Sequence, residues 1–262
     1  MKKIITVLLS VLILAGLTSC FFYDETKVES VEDILTLIEA NEPSVEGKVE
    51  KYEGHATVDT SMPGISAQVN MDIVMYSKKD GANSVMSSEA IVKLPGQQNN
   101  QEEYEYFKDG YLYTSDGKNT YKEKTSFEEA TGDNSNDDLD YNELLENSLT
   151  SSYEVKENGC YSVLIDVDTT AEMDFLKEMI DNIGYTGVDV KKMSVQLDLS
   201  SAFVVTDVII KIEMSMEYPQ VGTMTIKYDV NMSRSFMPEG YEIKKPSKIN
   251  IENAKDSAEG SL

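Results

Sequence analysis

The sequence predicts a mainly β (α+β) protein, a curved antiparallel half-barrel of about eleven strands with about three helices covering the concave face. Three observations lead there. Segments late in the chain alternate apolar and polar residues over twelve or more positions, well beyond the ~5–6 residues of an ordinary strand. Tight-turn dipeptides separate many of the candidate strands, at Pro63-Gly64, Asp80-Gly81, Asp109-Gly110, Asp116-Gly117 and Asn158-Gly159, which implies an antiparallel meander. Amphipathic segments before and midway through the strands supply covers for the dry face that such a sheet would otherwise expose.

The chain opens with Lys2 and Lys3, an almost unbroken apolar run over residues 4–17, and Leu17-Thr18-Ser19-Cys20. A basic start, a short apolar core and a small-residue ending describe a secretory signal peptide over residues 1–19. About 14 apolar residues are too few for a spanning helix, which needs ~20. The ending resembles the lipobox of bacterial lipoproteins, whose cysteine is acylated (palmitate is one such acyl group) and becomes the new N-terminus. That resemblance implies a Cys20 lipid anchor on the extracytoplasmic face of a cell membrane, as in a Gram-positive bacterium.

Residues 20–29 read as a tether. Ser30-Val31-Glu32-Asp33 then opens a helix with a capping-box pattern, Asp standing where Glu or Gln is usual. Val31, Ile34, Leu35 and Ile38 give that helix one apolar face. From His55 the period changes to 2. The run Ile65-Ser66-Ala67-Gln68-Val69-Asn70-Met71-Asp72-Ile73 alternates without error, the pattern of a strand with one dry and one wet face. Met86, Ala90, Val92 and Leu94 mark the next strand. Tyr104-Glu105-Tyr106-Phe107 faces Tyr111-Leu112-Tyr113 across Lys108-Asp109-Gly110, a strong hairpin signal. Residues 126–140 break the pattern, and Leu139, Leu144, Leu145 and Leu149 then suggest a second helix. A third is expected from Thr170 to Ile183, with Gly184 as its cap. The last β segment alternates from Met193 through Met232. One domain over residues 30–249 and a loose polar tail over 250–262 complete the expected organisation.

The order of these elements resembles the LolA/LppX-type half-barrel lipid and lipoprotein carriers, and a group of Gram-positive lipoproteins of similar pattern. The matching features are Cys20, the Ser30 helix, the long alternating strands and Tyr106-Phe107-Lys108-Asp109-Gly110-Tyr111-Leu112-Tyr113, over roughly residues 30–245. The resemblance implies a concave apolar surface that shields acyl chains.

Composition narrows the function. The chain has 23 basic and 47 acidic residues, a formal charge of −24; removing Lys2 and Lys3 with the signal peptide makes it −24 − 2 = −26. Nucleic-acid affinity comes largely from Lys and Arg displacing counterions, so nucleic acid is an excluded partner class. Anionic headgroups repel this surface too, which leaves the acyl anchor to hold it at the membrane. With Cys20 committed to lipid, Cys160 is left alone, and no disulfide can form within the mature chain.

No enzyme is expected. His55 is the only histidine, so a His-pair zinc site is excluded, and there is neither a G-x-S-x-G elbow nor a phosphate-cradling glycine loop. The acidic run 133–140 fails the calcium-hand pattern, since Asp138 and Leu144 stand where Gly and Glu belong. No metal and no cofactor are assigned. The methionines are the anomaly: Met71, Met75, Met86, Met193, Met214, Met216, Met224 and Met232 fall in strands, where Val and Ile are the usual choice. Methionine adapts to varied partners. The expected lining for a hydrophobic ligand is therefore Val69, Met71, Ile73, Met193, Val195, Val208, Ile210, Ile212, Met214, Met224, Ile226, Tyr228 and Val230. The competing expectation is that these residues pack as core and the protein is a non-enzymatic interaction or sensor lipoprotein. An apolar void above roughly 300 Å³ would favour the carrier.

Overall fold

The computed structural model describes residues 28–41, 43–97, 99–131, 141–156, 158–170, 188–218 and 222–257. Cys20, the acidic run 133–140 and the helix expected from Thr170 to Ile183 fall outside them, apart from Thr170 itself. Helix α1 spans Val31–Asn41, α2 Phe127–Thr131 and α3 Tyr141–Glu146. The strands are β1 Val49–Met62, β2 Ile65–Lys78, β3 Val85–Lys93, β4 Gln101–Lys108, β5 Tyr111–Ser115 and β6 Thr120–Lys124, then β7 Ser148–Val155, β8 Tyr161–Val167, β9 Val188–Leu199, β10 Val205–Tyr218, β11 Gly222–Phe236 and β12 Lys255–Asp256.

These strands hydrogen-bond in the order β12-β6-β5-β4-β3-β2-β1-β11-β10-β9-β8-β7. Hairpin neighbours pair antiparallel, while β12 joins β6 in parallel. The sheet is open, with β7 at one end of the order and β12 at the other. The fold class is thus the mainly β, open-sheet class expected. The chain divides into two compact units interleaved along the sequence. Unit 1 takes residues 1–44, 56–68 and 137–233; unit 2 takes 45–55, 69–136 and 234–262. Strands β1, β2 and β11 are long enough to contribute to both.

In unit 1, α1 starts as its sequence dictates. The Asp33 N–H donates to Ser30 Oγ at 3.1 Å, and the Ser30 N–H donates to Asp33 Oδ2 at 3.0 Å, so Asp completes the capping box. Backbone donation, first from Glu29, holds the Asp33 carboxyl below its usual range. Ile34, Leu35, Leu37 and Ile38 bury one face of the helix. The late strands pair in the expected register: Val208 opposes Met232, Ile210 Val230, Ile212 Tyr228, Met214 Ile226 and Met216 Met224.

In unit 2, Asp109 (φ 55°) and Gly110 (φ 76°) turn the β4–β5 hairpin. Two successive left-handed residues match the twist of the flanking strands, and Asp-Gly is among the few pairs that adopt them cheaply.

Several expectations change. β1 starts at Val49 rather than His55, and the strands number twelve. Asp80-Gly81 is not a two-residue hairpin turn but leads a short 3₁₀ turn over Gly81–Asn83. Leu149 belongs to β7 instead of the second helix and is 67% exposed, because a register shift between Ser148 and Thr150 turns it outward. Helix α2 was hidden in what reads as loop. It carries a full capping box, with the Glu129 N–H on Ser126 Oγ at 3.1 Å and the Ser126 N–H on Glu129 Oε2 at 2.9 Å. Residues 250–256 of the expected loose tail form a short 3₁₀ turn and β12. The Asn250 N–H donates to Thr120 Oγ1 at 3.0 Å, which ties this segment to β6.

Candidate functional site

The dry face of unit 1 is one register of β8 to β11. Val163, Ile165 and Val167 stand on β8, Val195 and Leu197 on β9, Ile210 and Met214 on β10, Ile226 and Val230 on β11; all are buried. Of the expected lining in this unit, Met193, Val195, Val208, Ile210, Ile212, Met214, Met224, Ile226 and Val230 are at most 7% exposed, and Tyr228 is half-buried. At the β10–β11 end, Met216, Met224 and Ile226 cluster with Val58, Met62 and Tyr228. Three of these six are methionine, whose unbranched chain fills irregular space.

The wet face of unit 1 holds an open cavity of about 870 Å³. Two rows of cross-strand neighbours form most of its wall. One runs Thr150, Asp166, Ser194, Lys211, Asp229, and the next runs Lys192, Glu213, Lys227. Lys227 pairs with Glu213 at 3.2 Å and Lys211 with Asp229 at 3.7 Å. Met193, Ile212 and Tyr228 of the expected lining border it too, though strand alternation points their side chains to the opposite face. Charged side chains make up these two rows, while much of the surface the cavity exposes is apolar, with Leu149 and Val167 also on its wall.

In unit 2 the dry face contains Met71, Ile73 and Met75 on β2, Met86, Ala90 and Val92 on β3, and Phe107 on β4, all buried. Val69, the remaining lining residue, is half-buried. Phe127 of α2 packs edge-on against Phe107 at 5.5 Å. Into this face projects Glu105, neighbour of Ser88 on β3 and Thr114 on β5. Burial pushes its carboxyl up to about 7, with the charge of Glu103 adding to the effect. The sequence offers only a weak clue to it. Tyr104 and Tyr106 are packed with Ile249 on one face of β4 while Phe107 is buried on the other, so both faces of this strand are covered and Glu105 cannot be assigned to a wet side.

A second group that the sequence does not single out is the ion pair of Arg234, the chain's only arginine, with Glu50. Arg234 Nε donates to Glu50 Oε1 at 2.7 Å and the Tyr52 hydroxyl donates to the same oxygen at 3.0 Å. Arg234 and Glu50 are 6% and 8% exposed. His55, by contrast, is exposed; its Nδ1 lies 2.7 Å from Asp72 Oδ1, and Lys93 reaches Asp72 Oδ2 at 2.6 Å. Lys93 first, then His55, holds the Asp72 carboxyl below its usual range. Cys160 is a free, half-buried thiol. Among the described residues no group of His, Cys, Asp or Glu is arranged to hold a metal ion, and no helix is long and apolar enough to cross a membrane.

An open, mainly β sheet with a dry face rich in methionine defines the class. The chain is similar in structure to LprF from Mycobacterium bovis, with 12% identity and a TM-score of 0.38, over 84% of this chain and 98% of that one. It is also similar to a Nitrosomonas europaea protein described as an AttH, with 8% identity and a TM-score of 0.27, over 84% of this chain and 58% of that one. No family model matches the sequence, and no curated protein matches it significantly.

Proposed function

We propose that this chain is an exported lipoprotein, anchored through Cys20, that binds a hydrophobic ligand such as an acyl chain on the dry face of its sheet. The observation that carries this reading is the continuous apolar register of β9 to β11, in which Met193, Met214, Met216, Met224 and Met232 are buried side by side with Val and Ile. Methionine in place of branched residues gives a surface that can re-pack around a flexible chain. Burying an acyl chain contributes about 0.8 kcal/mol per methylene, so even partial enclosure holds one. It acts by binding and not by catalysis.

A second reading is favoured by a specific observation. The expected lining of unit 1 is covered by the protein's own residues, at 7% exposure or less apart from Tyr228, as in a packed core, while the open cavity lies on the opposite face. Under that reading the protein is an interaction or sensor module.

Titration with a fluorescent acyl probe separates the two. Saturable binding that Met214→Lys abolishes, and that Lys211→Met leaves intact, supports the carrier. Absence of saturable binding, or loss only with Lys211→Met, supports the interaction module.

A further inference from the structure

We infer that Glu105, with Ser88 and Thr114, forms a polar subsite in the dry face of unit 2 that takes the hydroxyl-bearing head of a neutral acyl lipid and rejects an acyl carboxylate. The inference rests on the carrier reading and names its ligand class.

Cross-strand register places Met75, Ser88, Glu105, Thr114 and Tyr121 in one row over five strands. Side chains directly opposite share a face. The flanking rows run Ile73, Ala90 and Glu103 on one side and Met86, Phe107 and Leu112 on the other. Ser88 is 97% buried, at 3% exposure. Among the described residues, Ser88, Glu105 and Thr114 make no side-chain hydrogen bond, and none of their polar side-chain atoms is among the fully buried ones left without a partner, so each keeps an opening through which a ligand could reach it. Unfilled donors and acceptors in an apolar face are what a ligand's polar end would satisfy.

Charge decides which polar end fits. The ionisable groups around Glu105 are Glu103 on its own strand, and Tyr121 and Glu123 on β6. The facing rows of β2 and β3 carry none. No cation lies in these rows, so a carboxylate head would bring like charge against Glu105 and Glu103, and one of the groups would have to take up a proton. A glycerol hydroxyl meets no such requirement. It can donate to the ionised carboxylate or accept from the protonated acid.

The test is calorimetric titration of the full chain carrying Cys20→Ser, so that no covalent lipid competes, with laurate and with its glycerol monoester. The expected result is a Kd for the monoester that changes little between pH 6 and pH 8. The Kd for laurate should rise on the order of tenfold per pH unit above about 7, the slope of one coupled proton. In Glu105→Gln the laurate slope should vanish, while Glu89→Gln, on the opposite face of β3, should leave it unchanged. Equal affinity for both lipids at pH 8, or a slope that persists in Glu105→Gln, overturns the subsite while leaving the carrier reading intact. Failure of both lipids to bind overturns both. If Glu105→Gln does not fold, the pH slopes of the parent chain still decide between the outcomes.

Discussion

Replacing Glu105 by Gln should make the protein more stable at alkaline pH, a sign opposite to that of most core substitutions. The carboxyl is pushed from 4.5 up to about 7 by burial first and by Glu103 second. A folded-state value above the unfolded one means that the folded chain holds the proton more tightly. The penalty is therefore absent below about 4.5, grows as pH rises through the window to about 7, and is full above it. A shift of that size corresponds to about 3 kcal/mol, and the partial solvent access of Glu105 trims it to roughly 1–3 kcal/mol. Gln keeps the shape and hydrogen-bonding capacity without the charge. Urea denaturation of parent and variant at pH 5 and pH 8 measures the difference directly. The variant should gain at pH 8 and show a much smaller difference at pH 5, with unchanged m-values. A variant equal to or weaker than the parent at pH 8 would refute the claim that Glu105 sits ionised at a cost inside an apolar face. A fold that retains such a residue gives up stability at a site where function has a use for it.

Three further outcomes are expected. Cys20→Ala should release the protein from the membrane or leave it unprocessed, read by fractionation and intact-mass measurement; an unmodified Cys20 in membrane-extracted protein would contradict this. Arg234→Met alone should cost about 3–5 kcal/mol by stranding the Glu50 carboxylate, whereas Arg234→Met with Glu50→Leu should recover most of the loss, as measured in urea. Ile210→Asp should unfold unit 1 or destabilise it by several kcal/mol, while Lys211→Asp should cost about 1 kcal/mol or less because its 3.7 Å pair with Asp229 is exposed.

Period-2 patterning is most informative where only one face of a strand is dry. β10 and β11 illustrate this: Asp207, Lys211, Glu213, Lys227 and Asp229 cannot all be buried, so one register is open to Ile210 and Ile226, and the pairs Ile210–Val230 and Met214–Ile226 follow. β4 shows the opposite case. Its Tyr104 and Tyr106 pack with Ile249, more than 140 residues away in the chain, and a cover that distant leaves no local trace. With both faces covered, Glu105 looks like any solvated acid. Helix α2 is too short for a helical period to stand out, although Ser126 and Glu129 have capping-box spacing. The two-unit division is invisible to local patterning because it cuts across β1, β2 and β11. The cavity of unit 1 is equally hidden, since single strands show that Lys211 and Lys227 are wet but not that their rows line a hollow.

The central claim is that the dry face holds a hydrophobic ligand. Native mass spectrometry of the protein purified from its own membrane, followed by solvent extraction and lipid analysis, tests it most directly. The account predicts a fraction of molecules heavier than the acylated chain by the mass of one acyl lipid, recovered in the extract and lost in Met214→Lys. Protein that is uniformly the mass of the acylated chain alone, with no non-covalent lipid in the extract, would contradict it.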